Sequence, residues 1–139
     1  VGAALFVYGT LMPGRLRWGL LAPQVRRHRP GAVPGVLYDT GNGWPAADLS
    51  AALHDGPLEA GQVPGWLVEL RPSGIEALLA ELDATEGIGS PPDPVTDPYV
   101  RVSVTVTTAT GSLAAWAYHA TTVEPSWRRI ERWEAIAER

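Results

Sequence analysis

An α+β fold, a mixed and strongly curved sheet with a few inserted helices, follows from three features of the sequence. Strand-like runs outnumber helical ones and do not alternate with them strictly, which argues against a doubly wound α/β arrangement. Residues 99–108, "YVRVSVTVTT", alternate cleanly and then turn at Ala109-Thr110-Gly111 into "SLAAWAYHA", the signature of a hairpin. A single strong helical stripe, Ser73 to Glu86, interrupts the strands in mid-chain.

The elements can be justified in order. Residues 4–8 are apolar without a break and read as a strand buried on both faces, ending at Tyr8-Gly9-Thr10 and a turn at Met12-Pro13-Gly14. "RLRWGLLAPQ" supports at most a short helix stopping before Pro23. "VRRHRPGAVPGVLYDTG" is extended but carries Pro30 and Pro34, so it predicts an edge or kinked strand. "GNGWPAADLS" is a turn followed by a short extended piece, and "QVPGWLVEL" is a further strand.

Ile75, Leu78, Leu79 and Leu82 recur at helical spacing, with Ser73 and Glu76 placed as a capping box and Gly87 as the stop. The next segment, "GIGSPPDPVTDP", has four prolines and predicts a loop. In residues 99–108 the four valines 100, 102, 104 and 106 share one face. Tyr99, Arg101, Ser103 and Thr105 share the other, ordinarily the wet side. "EPSWRRIERWEAIAER" predicts a closing amphipathic helix with Ser126 as N-cap and Ile130, Trp133 and Ala137 on one face.

The 139 residues suit one domain, with 45% apolar and 19% charged residues, the balance of a globular chain. A net charge of −4 points away from nucleic acid and acidic membrane surfaces. The arginines at 26, 27 and 29 are explained by a solvated strand edge. There is no cysteine and no lysine, so thiol nucleophiles, thiolate metal sites, Schiff bases and phosphate-loop chemistry are excluded for these residues. No run approaches the ~18 apolar residues of a membrane span. A cytoplasmic protein is the expectation.

Three groups of residues are candidates for chemistry. On a helix of ~100° per residue, Glu86 returns to within about 20° of Ile75, on the core-facing side. A carboxylate there would be dehydrated and would sit at the negative helix end, both of which raise its pKa into the range useful for proton transfer. A helix ending one residue sooner would instead turn Glu86 to water. Gly9 permits close backbone approach, and peptide N–H groups at a strand-to-turn junction can gather round an oxygen anion. The same residues also describe an ordinary strand meeting a turn. The third group is the face that begins with Tyr99. His28, His54 and His119 are scattered and have no metal-ligand spacing, and no Gly-x-Ser-x-Gly elbow presents a nucleophile. "DPVTDP" lacks the alternating ligands and glycine of a cation loop.

Four segments together resemble one family. "VYGTLMPG" is similar to the Tyr-Gly-Ser/Thr-Leu-x-x-Gly opening of the γ-glutamylcyclotransferase-like, or AIG2-like, proteins. "PGVLYDTGNGWPA" resembles their Gly-x-Leu-Tyr-Asp-x-Gly-x-Tyr-Pro stretch, with Trp44 where tyrosine is commoner. "LDATEG" resembles the Leu-Asp-x-x-Glu-Gly segment that carries the family's catalytic glutamate, and "YVRVSVTV" the Tyr-x-Arg strand after it. The resemblance runs from about Leu5 to about Tyr118.

That resemblance implies a small mixed β-barrel with flanking helices. It implies Glu86 as general acid/base, Tyr8, Gly9, Thr10 and Leu11 as the substrate loop, and Tyr99 and Tyr118 as pocket-lining residues. The implied reaction is intramolecular. The α-amino group of a γ-glutamyl amide attacks its own γ-carbonyl, giving 5-oxoproline and a free amine, with no metal or cofactor required. Positioning of the folded-back conformer is worth ~7–11 kcal/mol in such reactions. The peptide N–H groups of Gly9 to Leu11 could serve either the substrate carboxylate or the developing oxyanion. Two other functions fit the same residues: a non-catalytic binder of small carboxylates, and an amide-cleaving enzyme that removes a γ-glutamyl protecting group in biosynthesis.

Overall fold

A computed structural model describes residues 2–53 and 61–134. Eight strands are present among them: β1 (Ala4–Val7), β2 (Val25–Pro34), β3 (Val36–Asp39), β4 (Pro45–Asp48), β5 (Gln62–Leu70), β6 (Tyr99–Thr108), β7 (Gly111–Ala120) and β8 (Arg128–Ile130). Two α-helices, α1 (Ser50–Leu53) and α2 (Ile75–Thr85), and two 3-10 turns, Trp18–Leu20 and Ala22–Gln24, complete the set.

Five strands close into a barrel in the order β1-β5-β2-β6-β7, and β4-β3-β8 form a separate three-stranded sheet. The barrel is mixed because β1 and β7 close it in parallel, Leu5 opposite Trp116, while its other pairs are antiparallel. The curvature expected of the sheet is therefore carried to full closure. The β6–β7 hairpin runs in unbroken register from Tyr99–Ala120 to Thr108–Gly111. The prolines of β2 are accommodated as on an edge. That strand pairs with β5 along its length but with β6 only at Ala32–Thr107. Arg27 on this strand pairs with Glu69 at 2.7 Å, and Arg29 donates to Thr110 Oγ1.

Every residue of β1 is buried because the strand separates two apolar layers. Ala4 and Phe6 meet Val33, Val63, Leu67, Val104, Val106, Ala115 and Ala117, residues from all five barrel strands, so this layer fills the lumen. Leu5 and Val7 point the other way and pack with Val68, Leu70, Leu78, Leu82 and Trp133. Helix α2 lies on this outer layer through Leu78 and Leu82, as its stripe predicts. Truncating a fully buried leucine such as Leu82 to alanine costs about 2–5 kcal/mol.

Three expectations are corrected. Ser73 does not cap α2. Its N-cap is Gly74 in the left-handed region (φ 81°, ψ 5°), with no side-chain capping bond. Ile75 N–H donates to Pro72 O at 3.3 Å, and Gly74 has the dihedrals of the third residue of a type II turn. The turn uses the residues that a capping box would need.

The closing helix is also absent among the described residues. Residues 128–130 form β8 against β3, and Trp133 is buried in the outer layer from an irregular segment. Strand pairing and tertiary burial here override helical periodicity; Ala137 lies outside the described residues. Finally, the Tyr99 face of β6 is not uniformly wet. Tyr99 is buried and Arg101 half-buried, whereas Ser103 and Thr105 are exposed, because only the end of β6 near α2 is covered. No described helix is long and apolar enough to cross a membrane.

Candidate active site

The end of β1, the end of α2 and the start of β6 converge on one cavity of about 370 Å³. Tyr8, Gly9, Thr10, Leu11, Glu86, Tyr99 and Tyr118 all line it. Every site residue expected from the sequence is thus brought to one place.

The backbone around Gly9 is bent by a turn in which Met12 N–H donates to Gly9 O at 3.0 Å. The loop is then folded back by Arg17 N–H, which donates to Thr10 O at 2.7 Å. Neither Thr10 N–H nor Leu11 N–H donates to a protein acceptor among the described residues. Buried peptide donors are rarely left in that state. Gly9 is needed for close approach. A β-carbon there would lie 2.6 Å from Cγ and 2.8 Å from Cδ of Pro45, which is itself a wall of the cavity. The contact is with that wall and not with open pocket space.

Glu86 is the C-cap of α2, and its N–H still donates to Leu82 O at 2.9 Å. Gly87 follows at φ 80°, with Gly87 N–H donating to Ala84 O and Ile88 N–H to Asp83 O. This pair of bonds is a Schellman motif, and Ile88 seals it by packing on the outer core. The motif holds Glu86 in the last helical turn, so its side chain enters the cavity. Burial pushes the Glu86 carboxyl up to about 6; Arg17 opposes the shift and Asp83 adds to it.

Three phenols surround this carboxylate. Tyr8 OH donates to Tyr118 O at 2.7 Å, Tyr99 OH to Pro45 O at 3.3 Å, and Tyr118 OH to Asp83 Oδ1 at 2.7 Å. Burial first, and the charge of Glu86 among lesser causes, raises the pKa of each. All three are neutral hydrogen-bond donors near neutral pH.

Several lining residues had no role in the sequence reading: Arg17, Thr40, Asn42, Pro45 and Trp127. Thr40, Asn42 and Pro45 flank Trp44 within the quoted "PGVLYDTGNGWPA" segment, so that motif already marked their neighbourhood. Arg17 lies seven residues past Thr10 and carries no sequence signal of its own. Asp83 was visible inside "LDATEG" but unassigned. It receives Arg101 Nε at 2.9 Å and Nη2 at 3.3 Å as well as Tyr118 OH, and Arg101 stacks 4.5 Å over the Trp116 ring.

The histidines lie elsewhere. His28 is held edge-on between Trp18 and Trp66, and His119 Nδ1 accepts from Leu49 N–H at 2.9 Å. His54 lies outside the described residues. No cluster of three or more His, Asp or Glu among the described residues is placed to hold a metal ion. In "DPVTDP", Asp97 Oδ2 accepts from Gly89 and Asp93 N–H and Asp93 Oδ1 from Val95 N–H, which makes the loop self-bonded.

The fold recurs in solved structures. YkqA from Bacillus subtilis superposes with a TM-score of 0.64 at 22% identity, over 96% of this chain and 40% of its own. This chain therefore spans less than half of that protein. An AIG2-like protein from Mus musculus matches with a TM-score of 0.67 at 20% identity, covering 95% of this chain and 88% of the mouse chain. An uncharacterized protein from Pyrococcus horikoshii matches with a TM-score of 0.56 at 18% identity, over 94% of this chain and 86% of its own. At such identities the likeness concerns the fold. No curated protein is similar enough in sequence to match. The model of the family described as gamma-glutamyl cyclotransferase, AIG2-like, matches residues 5–135, which takes in all four segments that line the cavity and nearly the whole barrel. The chain belongs to the gamma-glutamyl cyclotransferase, AIG2-like family.

Proposed function

We propose that the protein is a cyclotransferase that converts a γ-glutamyl amine, amino acid or conjugate into 5-oxoproline and a free amine, with Glu86 as general acid/base. One observation carries this reading. A glutamate with its pKa raised to about 6 shares a cavity with two peptide N–H groups, those of Thr10 and Leu11, that donate to no described residue.

The chemistry follows from those parts. Glu86 takes a proton from the substrate's α-ammonium, freeing the lone pair. The α-nitrogen then attacks the γ-carbonyl carbon and closes the five-membered ring. The ring nitrogen is cationic after attack and loses its second proton to become the lactam N–H. As the bond from the carbonyl carbon to the leaving nitrogen breaks, Glu86 hands on the first proton and then carries the second, so the amine departs as an ammonium. A single carboxylate serves both transfers because no proton is gained or lost overall, and a pKa near neutrality suits both directions. The peptide donors supply fixed dipoles to a substrate oxygen. Walls formed by Leu11, Pro45, Tyr99 and Trp127 hold the folded-back conformer and exclude water.

The test is Glu86→Gln, nearly isosteric and still able to hydrogen-bond. It should leave folding and 5-oxoproline binding largely intact and lower turnover at least ~100-fold. Near-normal 5-oxoproline release by this variant would move the role to another group. Binding of 5-oxoproline by the unaltered protein with no turnover of any γ-glutamyl compound would favour a carboxylate-binding function instead.

A further inference from the structure

Arg17 is a cation at the cavity that no described residue neutralises by contact. Among the described residues four arginines are half-buried: Arg15, Arg17, Arg29 and Arg101. Arg15 donates to Trp133 O, Arg29 to Thr110 Oγ1, and Arg101 to both oxygens of Asp83. The Arg17 guanidinium makes no hydrogen bond or ion pair with a described residue, although it lines the cavity and its charge acts on Glu86. Its backbone, in contrast, is held at both ends. Arg17 N–H donates to Thr10 O at 2.7 Å, and Arg17 O accepts from Leu20 N–H at 3.0 Å. A guanidinium carried on so fixed a backbone, with no partner among the described residues in a largely apolar site, is placed for an anion from outside.

We propose that Arg17 is the receptor for the α-carboxylate of the substrate, and that the peptide N–H groups of Thr10 and Leu11 are left for the oxygen of the γ-carbonyl. This assignment rests on the cyclotransferase reading. A γ-glutamyl compound presents two groups to these two kinds of donor. Its α-carboxylate is fully charged before, during and after reaction, and a planar guanidinium matches it with two parallel bonds. The γ-carbonyl oxygen gains charge only in the transition state. Small fixed peptide dipoles, which require no reorganisation, act there on the rate and not on ground-state binding.

The placement of charges agrees with this. The substrate's α-carbon carries an ammonium and a carboxylate one bond away on either side. Glu86 and Arg17 offer the complementary pair at the cavity: the carboxylate meets the ammonium and the guanidinium meets the carboxylate.

The experiment compares 5-oxoproline with 2-pyrrolidinone, the same ring without the carboxylate. Binding is measured by calorimetry at pH 8, well above the Glu86 value of about 6, for the unaltered protein, Arg17→Gln and Arg17→Lys. The unaltered protein should prefer 5-oxoproline. Arg17→Gln should weaken 5-oxoproline by about tenfold to a hundredfold, the loss typical of a charged hydrogen-bonded contact, and leave 2-pyrrolidinone within about twofold. Arg17→Lys should recover part of the preference. If Arg17→Gln keeps the full preference, the carboxylate is held by the loop N–H groups and the proposal fails. If it weakens both rings equally, Arg17 only shapes the cavity, and the proposal fails again. If the unaltered protein binds neither ring, the cyclotransferase reading itself is overturned, and this assignment with it.

Discussion

Asp83 and Glu86 lie one turn apart on α2, and the structure treats their charges in opposite ways. Asp83 is held by Arg101 at 2.9 Å and Tyr118 OH at 2.7 Å, outside the main cavity. Glu86 is the one turned into it, where burial raises its pKa to about 6 and the neighbouring Asp83 charge adds to the rise. Two acidic residues in one short motif are thus divided into an ion-paired anchor and a buried carboxyl facing the cavity, the proton carrier of the proposed reaction.

The pH dependence follows from the carrier. Only ionised Glu86 can accept the α-ammonium proton, so kcat/KM should rise with pH through about 6 and level off above it. A pH–rate profile for 5-oxoproline release checks this. An acid limb centred near the ordinary glutamate value of 4.5 would show that the working group is not this buried carboxyl.

Stability should move the other way. A carboxyl whose pKa is higher folded than unfolded costs stability wherever it is ionised. The cost is absent below 4.5, where both states are protonated, grows as pH rises through about 6, and is full above that. The bare shift corresponds to about 2 kcal/mol, and solvent at a half-buried side chain lowers that to ~1 kcal/mol. Glu86→Gln should therefore melt a few degrees higher than the unaltered protein at pH 7.5. The difference should vanish at pH 4. Thermal scans at the two pH values decide it.

Asp83→Asn tests the anchor. Removing this charge leaves Arg101 half-buried without its carboxylate, so stability should fall by about 1–3 kcal/mol. The same change removes a negative neighbour of Glu86, so the acid limb of the pH–rate profile should move to lower pH. A loss of stability with an unmoved limb would make Asp83 a structural anchor alone.

Gly9→Ala drives a methyl group into the ring of Pro45, 2.6 Å away. The wall of the cavity must shift, so stability should fall by about 1–3 kcal/mol and 5-oxoproline should bind more weakly. Adding Pro45→Ala should recover much of the lost stability, a coupling that a double-mutant cycle measures directly. If the two changes simply add, the strain lies somewhere other than at this contact.

The sequence by itself determined most of the strands, the one strong helix and several of the residues that line the cavity. Alternation in residues 99–108, the leucine stripe of α2 and the stop at Gly87 are local patterns, and local patterns survive into the structure because each buries one apolar face. Glu86 was legible for the same reason, since its place in the helical turn set its direction. What the sequence could not settle depended on partners far along the chain. Barrel closure rests on Leu5 meeting Trp116 in parallel, a pairing between strands more than a hundred residues apart. The last described segment has helical periodicity, yet it forms β8 because β3 offers a free edge and the outer core takes Trp133. Ser73 lost its capping role to a turn built on Gly74. Arg17 entered the site only because its N–H folds the loop back onto Thr10. Tertiary structure decided these points because pairing and burial, summed over distant residues, outweigh the propensities of any one stretch.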